Sequence, residues 1–200
     1  MTNPIKLFNK WDVEGVEVQD AGLKKYMSLN PTYVPHTGAR YAGNKFHKSK
    51  IFIVKRLINK INNPGHKGKK HHTTSGRSTG KSQTSYLLVE QTFDQVYAKL
   101  KKNPVEVFVR AIENAAPREE IISIEYGGAR YPKAVECAPQ RRIDLALRYF
   151  TQGAYAKSFN SKRSAVSCLA EEIIGAYEMS ASSAAISKKL ELERQADASR

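Results

Sequence analysis

Residues Gly76 to Ser82 read GRSTGKS, and a glycine-rich loop ending in Gly-Lys-Ser is how nucleotide-hydrolysing P-loops end. In that chemistry the pattern G-x-x-x-x-G-K-[ST] lies between a strand and a helix. Backbone N–H groups cradle the phosphates, the lysine reaches them and the hydroxyl takes Mg²⁺. With Gly80, Lys81 and Ser82 as its end, the opening glycine falls on position 75, which is Ser75. The residues before it, GHKGKKHHTTS from Gly65 to Ser75, hold no apolar run for a buried parallel strand. One end of the motif matches and its context fails, so nucleotide hydrolysis is not the expectation. What remains is a phosphate-friendly loop in front of a helix.

The other groups with chemical potential are weaker. His66, His71 and His72 suggest a metal, but no helix or cysteine orders them into the closed ligand set that structural zinc needs. They read as solvated or anion-facing side chains. Cys137 and Cys168 are far apart and show no metal spacing, so they read as reduced packing residues, which fits a cytosolic compartment. Glu119, Glu120 and Glu125 raise the possibility of acid–base chemistry, yet no nucleophile or pocket accompanies them, and they read as surface. Arg141 and Arg142 follow Pro139 at a helix start, where they oppose the helix dipole; an anion is expected near them. The chain is therefore not expected to be an enzyme, and no cofactor or metal is expected.

Charge gives direction to these observations. The net charge is +14 over 200 residues. From Ala21 to Val89 there is no Asp or Glu, while that stretch holds 14 Lys and Arg and all five histidines. The 19 basic residues outside it balance 19 acidic ones, so the whole net charge lies in one third of the chain. Charge segregated in this way is the electrostatic footprint of a nucleic-acid binder. Interleaved Tyr33, Tyr41, Phe46 and Phe52 argue against a wholly disordered tail. No segment reaches the roughly 18 apolar residues of a membrane span, and no secretory signal core opens the chain.

The elements that must position these residues follow from periodicity and caps. Met1 to about Pro35 reads as irregular, with Leu7, Phe8 and Trp11 anchoring onto something larger. His36 to Ser49 is a glycine-containing basic loop. Ile51, Val54, Leu57, Ile58 and Ile61 define one apolar helical face, and Lys55, Arg56 and Lys60 fall off it. Asn63-Pro64-Gly65 stops that helix. Pro64 to Gln83 reads as a long basic loop. A second helix carries Tyr86, Val89, Phe93, Val96, Tyr97 and Leu100. Asn103-Pro104 caps and opens a third, which ends before Pro117. Ile121 to Glu136 alternates around Gly127-Gly128 and predicts a β-hairpin. Pro132 makes its strand an edge. Lying between helices, the hairpin projects as an arm from a helical body. Pro139 opens a fourth helix, Val166 to Tyr177 mark a fifth, and a charged last helix spans about Ser183 to Ala196. The fold class is all-α, a bundle of about six helices with one protruding hairpin.

Several of these stretches together resemble the universal small-subunit ribosomal protein seven family. They are YGGARYPKAVECAPQRRIDLALRYF, ENAAPREE (Glu113 to Glu120) and PHTGARYAGNKFHKSKIFIVKRLIN (Pro35 to Asn59). The Leu7-Phe8…Trp11 lead and the end AISKKLELERQADASR resemble the archaeal type, counterpart of the eukaryotic small-subunit protein five. The resemblance covers nearly the whole chain outside Pro64 to Thr79. It implies a phosphate-facing Gly-Lys-Lys just ahead of the second helix, where Gly80-Lys81-Ser82 falls; Ser82 departs from the second lysine. A register at Gly68-Lys69-Lys70 is the alternative, but the apolar positions after it then fail. The resemblance implies residues 1–48 as an N-terminal extension and basic loop. Residues 49–200 form a helical RNA-binding domain with the hairpin at about 121–137.

The expected partners are small-subunit ribosomal RNA, neighbouring head and platform proteins, and messenger RNA with exit-site tRNA; no membrane is among them. Arg40, Lys45, Lys48, Lys50, Lys55, Arg56, Lys69, Lys70, Arg77, Lys81, Arg141, Arg142 and Arg148 are the expected rRNA-binding residues. The resemblance implies that Tyr126, Gly127, Gly128 and Arg130 are the hairpin residues near messenger and tRNA. A P-loop enzyme would need a strand before Ser75. A helix-turn-helix DNA binder would need a short turn, which the long loop before Tyr86 does not supply.

Overall fold

The computed structural model describes residues 5–32, 38–39, 42–64 and 81–200. Arg40, Lys69, Lys70, Arg77, the three clustered histidines and most of the GRSTGKS loop lie outside them. The described elements run α1 (Ala21–Lys24), a 3₁₀ turn (His47–Lys50), α2 (Ile53–Ile61), α3 (Ser82–Leu100), α4 (Pro104–Ala115), β1 (Glu119–Tyr126), β2 (Ala129–Glu136), α5 (Pro139–Ser158), α6 (Ala165–Tyr177) and α7 (Ala184–Asp197). The mostly helical body with a single antiparallel hairpin is the expected class.

Helix α6 is the centre, packing against α3, α4 and α5. Its Cys168, Leu169, Ala170, Ile173 and Ala176 are buried. Phe93 of α3, Phe108 of α4 and Phe150 of α5 form a chain of ring contacts, with centroids 5.7 and 6.5 Å apart. Asn103 caps α4 by accepting from the Val105 N–H at 3.0 Å, with Pro104 at the first turn. Ser164 caps α6 in the same way through the Ser167 N–H.

The N-terminal segment is a strap on the body. Phe8 meets Tyr86 and Phe93 edge-on at 4.9 and 6.0 Å, and Trp11 lies on Tyr97 at 4.8 Å. The larger partner expected for Leu7, Phe8 and Trp11 is thus the chain's own α3. Asp20 caps α1, the first short turn after the strap.

Helix α2 departs from the expectation that Lys55 and Arg56 fall off its buried face. Both residues are buried, at 6% and 4% exposure. The apolar spacing describes one face packed on α3 and α5. Residues 26–32 and the strap cover the flanks as well, with the Ile53 N–H donating to the Ser28 carbonyl at 3.0 Å. Helix α3 starts at Ser82, so the expected loop ends two residues earlier than Gln83.

The hairpin pairs Glu119 with Glu136 through to Tyr126 with Ala129. Both turn glycines have positive φ, +58° for Gly127 and +82° for Gly128, the requirement of a type I′ turn. Residues 122 to 133 stand exposed on both strands. The arm is tied at its base, where α7 packs along β1. Arg200 chelates Glu119 at 2.6 and 2.7 Å. The Arg118 N–H donates to Glu193 at 3.1 Å. Among the described residues no helix is long and apolar enough to cross a membrane.

Candidate nucleic-acid interface

The 3₁₀ turn, α2 and α5 come together because α2 packs on α5. They leave between them a cleft of about 240 Å³ lined by Lys48, Ile51, Arg56, Asn59, Lys60, Asp144, Leu147 and Arg148. Lys60 lies one helical turn beyond Arg56, and Arg148 one turn beyond Asp144, so each helix presents an i, i+4 pair to the cleft. Asp144 is the single carboxylate among four cations. Its Oδ2 accepts from Lys48 Nζ at 2.9 Å and its Oδ1 from Arg56 Nη2 at 3.0 Å. Arg56 also donates from Nη1 to the Tyr26 carbonyl at 3.1 Å.

Once Asp144 is shared in this way, Lys60 and Arg148 are left without a carboxylate partner among the described residues. Burial pushes the Lys60 ammonium below the usual lysine range, and the neighbouring Arg148 and Lys48 push it further; Asp144 offsets only part. A half-buried cation crowded by two others is stabilised by an incoming anion. Lys50 is exposed beside the cleft. Lys45 is exposed and lies over the Phe46 ring at 5.5 Å.

Lys81 occupies the N-cap position of α3 and is exposed. The helix has no side-chain cap and no acid in its first turn. Among the described residues nothing caps its N–H groups, and a positive helix end of this kind can receive an anion.

Arg141 and Arg142 are arranged otherwise. Expected as RNA contacts, both pair with carboxylates of the chain itself. Arg141 forms a two-point bond with Glu120 at 2.5 and 2.6 Å. Arg142 donates to Asp20 at 2.9 Å and to the Pro117 carbonyl at 3.1 Å. These contacts tie the hairpin base and α1 to the start of α5. Glu119 and Glu120, expected as plain surface, are thus the hairpin's fastening points. Cys137 beside them is buried, and its thiol is pushed up to about 11 by that burial, which suits an inert reduced residue.

Of the expected rRNA-binding set, Lys48, Arg56 and Arg148 are brought together with Lys60. Lys60, read from the sequence as off the apolar face but outside the expected binding set, is marked by its i, i+4 relation to Arg56. Lys45 and Lys50 flank the cleft. Lys81 stands at a separate helix end, and Lys55 opens onto the other side of α2. At the tip of the arm Tyr126 is 80% exposed. Arg130 pairs loosely with Glu125 at 3.6 Å, both side chains being mostly in solvent.

No nucleophile with a base partner lines the cleft, and its chemistry is charge and shape: it can hold phosphate groups in place. The family model described as Ribosomal protein S7p/S5e matches residues 23–200. Small ribosomal subunit protein uS7 of Nanoarchaeum equitans is 50% identical over 196 residues, covering 98% of this chain and 99% of that protein. The uS7 proteins of Methanococcoides burtonii and Methanothrix thermoacetophila are 46% and 44% identical over 98% of this chain and 99% and 100% of their own lengths. The chain belongs to the S7p/S5e family of ribosomal proteins, structural proteins of cytoplasmic ribosomes.

Proposed function

We propose that this protein binds the 3′ major domain of small-subunit ribosomal RNA and helps nucleate assembly of the subunit head. Its hairpin contacts messenger and exit-site tRNA. Neighbouring head and platform proteins are its further partners. The observation that carries the RNA-binding reading is the cleft in which four cations face one carboxylate. The acid-free stretch from Ala21 to Val89 supplies a wider positive field. Duplex RNA hides its base edges in a closed major groove, so phosphate and sugar contacts dominate such a surface.

Binding of a 3′ major domain transcript across 50–200 mM salt tests this. Neutralised phosphates release counterions, so log affinity should fall linearly and steeply with log salt. Replacing both Lys60 and Arg148 by Met should lower that slope by about two. An affinity that stays flat with salt would overturn the reading. Lys81→Ala should weaken binding with no nucleotide turnover to lose, since no strand-and-loop P-loop is expected at this site.

A further inference from the structure

We propose that a second phosphate-group site lies on the opposite flank of α2, between that helix and the N-terminal strap. A cavity of about 140 Å³ opens there, lined among others by Lys6, Asn9, Thr32, Phe52, Val54 and Lys55. It is several times the roughly 30 Å³ that one water occupies, which is room for a phosphate group. Lys55 is 94% buried, given its 6% exposure, and its ammonium has no hydrogen bond or ion pair among the described residues. Burial is the sole cause that pushes its pKa down; no carboxylate stands close enough to push it up. The Lys55 stem is buried while its ammonium keeps contact with the cavity, and a lysine so placed is stabilised when an anion arrives.

The helix itself adds to the same cavity. Phe52 at the N-cap position gives no side-chain hydrogen bond, and the first turn of α2 carries no acid. Phe52, Val54 and Lys55 are its N-cap, second and third positions and Ile58 lines the cavity one turn on, so the cavity runs along the flank of α2 close to its positive end. Lys6 contributes a second cation and Asn9 an amide from the strap. Two ammonium groups and an amide offer donors in several directions, as a tetrahedral oxyanion requires. Successive helical residues point about 100° apart, which is why Lys55 opens to the strap while Arg56 turns to the α5 cleft. Lys6 and Asn9 precede the span 23–200 matched by the family model, so the strap completes this site from outside that span. The RNA source of the phosphate rests on the function proposed above; the site itself does not.

Titration of the full chain with inorganic phosphate, at ionic strength held constant with chloride, tests the site by backbone amide NMR. Saturable shifts are expected at Asn9 and at Val54 and Lys55, lost in Lys55→Met and retained in Lys60→Met. Lys55→Met should fold at least as stably as wild type in chloride. Should it not fold, Lys6→Met, which changes an exposed side chain, should weaken the same shifts several-fold. Shifts that persist in Lys55→Met or in Lys6→Met, or their absence in wild type, would overturn the site. In the RNA arm, Lys55→Met should lower the salt slope of transcript binding by about 0.7–0.9. Saturable phosphate shifts with an unchanged RNA slope would keep the site and overturn its RNA source. A wild type that takes phosphate here but binds no transcript would overturn the function proposed above and leave the site standing.

Discussion

Asp144 sets the charge of the α2–α5 cleft, and it is also what holds Arg56 inside the body. The Arg56 side chain is 3% exposed and that of Asp144 32%. Asp144→Asn leaves a buried guanidinium with the Tyr26 carbonyl alone. Breaking a buried pair costs several kcal/mol, less where one partner is partly solvated, so a loss of roughly 2–4 kcal/mol is expected in urea unfolding. Lys60→Met should do the opposite to stability. The Lys60 pKa is lowered in the folded state, so the unfolded chain binds more protons as pH approaches the usual lysine range. Its contribution is therefore unfavourable at neutral pH and fades as pH rises through the folded and then the unfolded pKa. The stability of Lys60→Met relative to wild type should be highest near neutrality and shrink in alkali, as denaturation from pH 7 to 10.5 would show; a growing advantage would contradict the assigned cause. Lys48, Arg56 and Lys60 are legible in the acid-free stretch, while Arg148 lies outside it. The burial of Lys55 and Arg56 is not legible, because a helical stripe reports one packed face, and the acid that receives Arg56 lies 88 residues away.

At the scale of elements, the hairpin and α7 form one assembly. Both strands and the turn were legible from alternation around Gly127-Gly128. Alanine at either glycine would meet nothing within 4 Å, so space is not the constraint; the positive φ is, at a cost of about 1–2 kcal/mol. Because residues 122 to 133 are exposed, Gly128→Ala should fray the arm, seen as faster amide exchange in β1 and β2, with little change in the melting of the body. The docking of α7 was hidden because its apolar positions are few: Ala185, Ile186 and Ala196 are its buried residues. Polar groups hold it instead. Glu172, fully buried on α6, accepts from Ser183 Oγ at 2.9 Å and from the Ala184 N–H at 2.8 Å, and pairs with Lys157 at 2.6 Å. Gly153 on α5 allows this approach, since a Cβ there would lie 2.8 Å from Ala184 Cβ and 2.9 Å from Glu172 Cδ. Glu172→Gln keeps the shape and loses the charge that serves Lys157. With Lys157 one-third exposed, a loss of roughly 2–3 kcal/mol is expected. Exchange protection should fall first in α7 and at the hairpin base it braces, and equal losses in every helix would argue against that coupling.

For the whole molecule, the sequence separates charge, and the fold partly reunites it. The acid-free third and the Arg-rich start of α5 are tied down by acids from elsewhere: Asp144 on Lys48 and Arg56, Asp20 on Arg142, Glu120 on Arg141. Among the described residues Lys55, Lys60, Arg148, Lys50 and Lys81 are among those that escape this compensation, and the function proposed above gives them to an external polyanion. The arm stands apart from this scheme. Its tip carries an exposed tyrosine and a loosely paired Arg130, an exposed ion pair of that kind is worth little, and a lone two-stranded ribbon is marginal without support. Stability of the body gives no reason for its length. Replacing Ser123 through Pro132 by Asn-Gly would join Ile122 to Lys133, which already face each other in the register. They lie an even number of residues from the Tyr126–Ala129 pair, so the same turn geometry transfers without flipping the strands. The fastenings at Glu119, Glu120 and Arg118 remain. The shortened protein should therefore melt with the wild type and bind the transcript with an unchanged salt slope, since the α2–α5 cleft is untouched. Small subunits reconstituted with it should lose retention of exit-site tRNA or accuracy of reading frame. If they match wild type in both while the protein is folded and incorporated, the arm does not act on messenger or tRNA; if the shortened protein fails to fold, the arm serves the body and the division of labour drawn here is wrong.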